Sequence, residues 1–447
     1  MKVSSPRLVP TDILLIAATL ACMGFALLLI ALYGRNIPLA EDWTMVPALT
    51  GNEPHFWQWL WSQNNEHRVP LPRALYLMLL TITGGDFRVG MVFNVFLLGI
   101  LAFAMLWTIR YLRGGRSKVV DLFFPIILLH IGNDANLFWS WQLSFVVPVA
   151  LVCGILLVLL VDPALSHPAR GSFASIAAIA LPLCGAIGLA FMPFLTLWLG
   201  FNGLRHFQKQ RLALGIGLVL AISTAIAISL VYFIGYERPS WNPPSPGLGE
   251  TLKTSAQFVA LGWGPIAGKV WPVFIFLAFG LMLPAAFFLL KNIIEKRDQN
   301  PQRGIFLLVF SGNLALFSFA MGHGRAGLVP MVGLPSRYVL LAAIAFLTTF
   351  FMWELYGKAQ FKDWTLGFLF LTVLLIFPFN TYIGFSEWIQ WYDQGMSKVE
   401  QDLAAKLPVE VIAENHNHFL VHWFDYKQLV NHMRMIEGLP NSPINNK

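Results

Sequence analysis

Apolar runs near the length of a bilayer crossing recur along almost the whole chain, at residues 12–33, 89–109, 119–132, 143–161, 173–187, 189–204, 212–235, 269–290, 304–321, 338–356 and 365–385. A helix rises about 1.5 Å per residue and the hydrocarbon core is about 30 Å thick, so about 20 apolar residues make one crossing. Lipid offers the backbone no hydrogen-bond partners, and helix is the open-ended structure that satisfies its own polar groups there. The expectation is therefore an all-α polytopic transmembrane helical bundle. Runs 119–132, 173–187 and 189–204 are short, so the count lies between nine and eleven spans. A chain of 447 residues could instead form about three soluble domains, but only 12% of it is charged, about half the share in soluble proteins.

The net charge of +7 does not point to nucleic acid, because the basic residues punctuate short connections. With the N-terminus inside, the inside connections are 1–11, 110–118, 162–172, 205–211, 291–303 and 357–364. They carry Lys2, Arg7, Arg110, Arg113, Arg116, Lys118, Arg170, Arg205, Lys209, Arg211, Lys291, Lys296, Arg297, Arg303, Lys358 and Lys362. Alternation holds at every loop, which favours eleven spans, a cytoplasmic N-terminus and an external C-terminus. The first run is too long for a secretory h-region and no small-x-small site follows it, so it reads as a retained span. Cys22, Cys153 and Cys184 all lie inside apolar runs and read as small hydrophobes rather than a disulfide framework or thiolate metal site. Residues 1–385 form the transmembrane domain and 386–447 a small external tail.

Every dense polar cluster falls on the outer face. The first external segment, 34–88, contains "EDWTMVPALTGNEPHFWQWLWSQNNEHRVPLPR" from Glu41 to Arg73. Residues 54–64 and 71–83 read as interfacial helices, where tryptophan prefers to sit. Asp42, just beyond the span mouth, can accept a proton from an incoming hydroxyl, while Glu41 would point elsewhere; the plain alternative is a solvated acidic pair. Glu66, His67 and Arg68 join an acid, a titratable donor and a two-point cation, or else form a polar interfacial turn. Arg325 in "GHGRAG" and Arg337 in "PSRY", beside Tyr338, suit phosphate or lipid headgroups. Trp139 and Gln142 in "NLFWSWQLSF" suit a sugar or an aromatic belt. His416, His418 and His422 lack the acid pattern of a zinc site. No metal ligand set is assigned; no cofactor is indicated, although a divalent ion stays open.

This arrangement resembles the GT-C class of membrane glycosyltransferases, with a retained first span, a long external loop bearing an acidic pair ("EDW") and interfacial helices, then many spans. It is also similar to a group of bacterial inner-membrane proteins sharing "EDW/DDW…NEHR…NxxWxxQ…GRAG…SRY" patterns over most of 35–340. There is no large soluble C-terminal domain, unlike the oligosaccharyltransferases. The resemblance implies a polyprenyl-phosphate-linked sugar as donor, a glycan, lipid or protein acceptor, and an inverting transfer on the periplasmic face with Asp42 as base and Glu41 or Glu66 as rivals. Arg68, Arg325 and Arg337 would hold the departing phosphate, and a groove between spans would take the lipid chain. The chief alternative is a transporter or flippase, which would use polar groups at membrane depth such as Asn94, Asn313 and His130, or the break near Pro182 and Gly185. A polymerase or ligase of lipid-linked polysaccharide, and a non-catalytic scaffold, complete the alternatives.

Overall fold

The computed structural model describes residues 9–297, 300–442 and 444. The chain is 78% helical, with no strands among the described residues. In chain order the α-helices of six or more residues are α1 Pro10–Tyr33, α2 Phe56–Trp61, α3 Pro70–Ile82, α4 Val89–Leu112, α5 Phe123–Leu129, α6 Leu143–Val161, α7 Pro168–Ala180, α8 Met192–Gln208 and α9 Leu212–Tyr232. They continue as α10 Leu248–Leu261, α11 Trp271–Ile294, α12 Pro301–Arg325, α13 Val339–Tyr356, α14 Ala359–Ile383, α15 Gln390–Ala404, α16 Val409–Val421 and α17 Tyr426–Ile436. Proline sits in the first turn of α1, α3, α7, α8, α11 and α12, where its missing N–H costs no intrahelical bond. Among the described residues, 8 helical stretches are long and apolar enough to cross a bilayer, those containing α1, α4, α6, α9, α11, α12, α13 and α14. The chain is a multi-pass membrane protein.

Contacts sort the connections onto two opposite faces. On one face Asp12 accepts from the Ser117 hydroxyl at 2.5 Å and pairs with Arg110 at 3.2 Å. Arg113 there bridges Asp121 at 2.7 Å and Glu354 at 2.6 Å, and Arg303 donates to the Leu160 carbonyl at 2.6 Å. On the other face Arg35 pairs with Asp393 at 2.8 Å and Glu400 at 3.0 Å. Trp139 Nε1 donates there to the Leu39 carbonyl at 3.2 Å, and Gln63 Nε2 to the Glu237 carbonyl at 2.6 Å. Eight of the eleven apolar runs form the long helical stretches that connect the two faces, and the three short runs form α5 with the turns after it, α7 and α8. Residue 9 and the tail thus lie at opposite ends of the bundle. The face holding segment 34–88 is called the loop face below.

Three features differ from the sequence reading. The run at 119–132 is not one helix: α5 stops at Leu129, His130 is extended, and the chain continues through Ile131–Asn133 into a short helix, Asp134–Phe138. Glycines make the break close-packed. A Cβ at Gly132 would lie 2.7 Å from the Pro265 ring, and one at Gly384 2.2 Å from the Ile131 carbonyl oxygen.

Second, α10 is a helix that enters from the loop face and returns to it. Phe258 packs edge-on against Phe317 of α12 at 5.7 Å, Trp263 packs on Phe346 at 4.4 Å, and Asn380 Nδ2 donates to the Trp263 carbonyl at 2.8 Å. Glu250, Lys253 and Gln257 interrupt its apolar pattern, so it left no run to read. Third, α14 continues through a wide π-turn at Gly384–Ile389 into α15. The 385/386 boundary therefore falls inside one helical stretch. Helices α16 and α17 fold back, and Asn441 ties the chain end to Gly84 and Asn36 of the first loop at 3.1 and 2.6 Å.

Candidate active site on the loop face

Two cavities adjoin at the loop face. The deeper one, about 580 Å³, is walled mainly by apolar side chains such as Ile187, Leu189, Phe233, Phe317, Met321 and Leu341, between the outer ends of α9 and α12. The outer one, about 420 Å³, is lined by Glu41, Asn65, Trp139, Gln142, Trp241, Arg337 and His422 among others. Glu66, His67, Phe145, Arg325 and Tyr338 line both. An apolar chamber at membrane level thus meets a polar chamber outside it across a shared charged wall.

Glu41 and Asp42 sit in one 3-10 turn, Ala40–Met45. Successive residues there are about 120° apart around the axis, so the two carboxylates diverge. The chain enters the turn through Ala40 at φ +51°, a left-handed conformation that a Cβ makes costly.

Asp42 turns inward. It is 2% exposed and lines neither cavity. Its Oδ1 accepts from the Tyr76 hydroxyl at 3.0 Å and its Oδ2 from the Leu39 N–H at 3.2 Å, with the Trp141 N–H a further donor. Burial nonetheless pushes its carboxyl up to about 8, the donors pulling the other way. The expectation of Asp42 at the cleft is corrected, because the pitch of the turn sends it into the protein. Glu41 faces the outer cavity instead. Its Oε1 accepts from Asn65 Nδ2 at 3.1 Å, and its Oε2 is enclosed with no partner. Burial raises its carboxyl above the usual range, opposed by the nearby Arg337.

The "NNEHR" turn closes with paired backbone bonds between Asn64 and His67 and delivers Glu66 and His67 to the shared wall. Glu66 Oε2 accepts from Asn242 Nδ2 at 2.7 Å; its Oε1 is in contact with Arg325 and lies 3.4 Å from His67 Nε2. Burial, and then Arg337, lower the His67 pKa to about 4, which leaves the imidazole neutral at neutral pH. Arg325 and Arg337 flank the same Tyr338 ring, at 5.6 and 5.5 Å from its centre. Arg325 is matched by Glu66. Arg337 has no carboxylate within ion-pair distance among the described residues.

Arg68 does not join them. It donates to the Tyr232, Trp61, Ile234 and Gly235 carbonyls at 3.0, 3.1, 2.9 and 2.9 Å. It clamps α9's outer end to the first loop and lines neither cavity, which corrects its expected place at a phosphate. Trp139 and Gln142 do line the outer cavity, and Gln142 Oε1 is enclosed without a partner.

Some lining residues were not singled out from sequence. Asn65 and Asn242 position the two glutamates, and Trp241 and Asn242 come from the "YERPSWNPP" stretch, recognisable only as a cluster. His422 reaches the outer cavity from the tail, where its spacing from His416 and His418 raises only the question of a metal. Among the described residues no group of three or more His, Cys, Asp or Glu is placed to hold a metal ion.

No protein-family model matches the chain, and no curated protein matches it. The chemistry of the cavities therefore carries the functional argument. The outer cavity can accept a proton at Glu41 Oε2 and hold an anion at Arg337, beside a chamber suited to hydrocarbon.

Proposed function

We propose that this protein is a membrane glycosyltransferase that moves a sugar from a polyprenyl-phosphate donor to an acceptor hydroxyl on the external side of a bacterial inner membrane. The observation that carries this reading is the meeting of the two cavities: apolar surroundings on one side, a guanidinium without an ion-pair partner and a carboxylate with one unpartnered oxygen on the other. The donor's prenyl chain occupies the apolar chamber, and its phosphate lies at Arg337 and Arg325. Guanidinium groups match phosphate oxygens in two-point geometry and stabilise the charge that builds up as the phosphate leaves.

Glu41, rather than Asp42, is the base. It takes the acceptor's proton as the acceptor oxygen attacks the anomeric carbon. The bond from that carbon to the phosphate oxygen breaks, and its electron pair leaves with the polyprenyl phosphate. Attack opposite the leaving group inverts the anomeric centre, with an oxocarbenium-like transition state as in glycoside hydrolysis. A phosphate leaving group needs no acid from the protein, which fits Glu66 being tied to Arg325 and Asn242. The loop face is then external and residue 9 cytoplasmic, in keeping with the basic connections on the opposite face.

Of the side chains a transporter would use at membrane depth, Asn94 Nδ2 donates to the Asn136 carbonyl at 2.9 Å and Asn313 Nδ2 to the Ala190 carbonyl at 3.2 Å, whereas Asn94 Oδ1 and both ring nitrogens of His130 are enclosed without a partner, so the two readings are separated by assay. The test is sugar transfer in proteoliposomes supplied with polyprenyl-phosphate sugars and a mixed acceptor extract. Glu41→Gln is expected to lose about 10²–10⁴-fold in rate while inserting normally. Movement of labelled donor across the bilayer without transfer, by wild type, would instead establish a flippase.

A further inference from the structure

A third cavity, about 600 Å³, opens on the loop face behind the segment 333–336, within the roughly 300–1,000 Å³ of small-ligand sites. Val329, Gly333, Leu334 and Pro335 line both it and the outer cavity, so one thin wall divides the two. Trp388 of the third cavity also stacks on Trp139 of the outer one, with ring centres 5.8 Å apart and planes 25° apart. The wall is therefore partly aromatic.

The polar groups of this cavity differ in kind from those of the first site. Gln257 Oε1 and Trp388 Nε1 are enclosed with no hydrogen-bond partner. One is an acceptor and the other a donor, and burying either one unpaired costs free energy that a ligand can recover. Asp134 accepts from the Ser336 hydroxyl at 2.5 Å. Lys269, the cation that lines it, is paired with Glu387. The cavity thus offers unpaired donors and acceptors beside an indole but no free positive charge, whereas the outer cavity offers Arg337.

We propose that this third cavity binds a neutral polyhydroxylated ligand, a carbohydrate unit. Hydroxyls act as both donor and acceptor, so one kind of group answers both Gln257 and Trp388, and the apolar face of a sugar ring matches an indole. A phosphate or carboxylate ligand would meet Asp134 and Glu387 with no free cation in compensation. Its role as the acceptor subsite rests on the transferase reading; its sugar binding does not.

The experiment uses the full-length protein in detergent on a glycan array of neutral and uronate-containing oligosaccharides. Gln257→Leu and Trp388→Phe, the second removing only the indole N–H together with one ring, are checked for unchanged thermal unfolding and elution volume. Binding of neutral glycans, weakened about tenfold or more by both variants, is the expected result. No neutral glycan bound, or binding untouched in both variants, overturns the proposal, as does a preference for the uronates. Sugar transfer is then measured separately. Neutral-glycan binding that depends on Gln257, with no transfer from any polyprenyl-phosphate sugar, removes the transferase reading and leaves the carbohydrate site standing.

Discussion

Asp42→Asn separates the two neighbouring carboxylates by stability as well as by activity. The Asp42 carboxyl is 2% exposed and keeps its proton in the folded protein up to about pH 8, against 3.8 for an ordinary aspartate. Between those values the folded state binds a proton that the unfolded state has released. Stability therefore falls as pH rises through that window, and levels off above the folded value. Each pH unit corresponds to about 1.4 kcal/mol, so between pH 5 and pH 7 this one residue should remove about 3 kcal/mol from the wild type. Asparagine does not titrate. It loses one acceptor oxygen toward Leu39 or Trp141, a cost that is the same at both pH values. Titrating groups that do not feel Asp42 cancel in the comparison of variant with wild type; Glu41, whose charge adds to the upward push on the Asp42 carboxyl, is the coupled exception. The measurement is unfolding in mixed micelles at the two pH values, and the gap between variant and wild type should shift by about 3 kcal/mol in the variant's favour on going to pH 7. Parallel behaviour would show that the Tyr76, Leu39 and Trp141 donors keep Asp42 ionised, and would refute the argument. Activity supplies the second arm: Asp42→Asn should retain transfer under conditions where Glu41→Gln does not, and the reverse result would return the base to Asp42.

Three further outcomes follow from the same geometry. Arg337 holds down a Glu41 carboxyl that burial raises, and the base acts only when ionised, so Arg337→Gln should move the acid limb of the pH–rate profile to higher pH; an unmoved limb would separate Arg337 from Glu41. Arg325→Met should cost about 2–3 kcal/mol in an unfolding titration, because it strands the Glu66 carboxylate, less than breaking a fully buried pair since this one borders a cavity. Adding Glu66→Gln should recover much of that loss, and strictly additive losses would show that the pair is not coupled. Arg68→Ala should destabilise by at least about 3 kcal/mol, since four carbonyls lose charge-assisted donors, and should open the 233–240 segment to protease; protection equal to wild type would contradict the clamp.

What the sequence disclosed and what it hid divide along physical lines. Hydrophobic run length is a property of each segment alone, so the eight long helical stretches were readable, and the runs at 119–132, 173–187 and 189–204 were readable as apolar helical segments. Helix α10 was hidden because it turns back before crossing. It packs on α11, α12 and α13, and its Glu250 and Lys253 break the run that a window would detect. The collection of polar clusters on one face was also legible, since alternation assigns a loop to a side without any contact being known.

The roles inside those clusters were not legible, and the contrast between two arginines shows why. Arg68 and Arg337 have the same chemistry and similar polar neighbours in sequence. Their difference lies in what the rest of the chain brings to them: Arg68 meets the frayed carbonyls at the end of α9, more than 160 residues later, while Arg337 meets a ring and a cavity. The last turn of any helix leaves carbonyls without partners, and a guanidinium beside them is consumed by them. A cation that escapes such an encounter remains available to a ligand. The same reasoning separates Glu41 from Asp42 within one turn, because the turn's pitch gives Asp42 to Tyr76 and leaves Glu41 Oε2 with nothing. In a protein whose spans are uniform and apolar, the groups open to chemistry are those that folding leaves unpaired, and pairing is decided by contacts that no local pattern encodes.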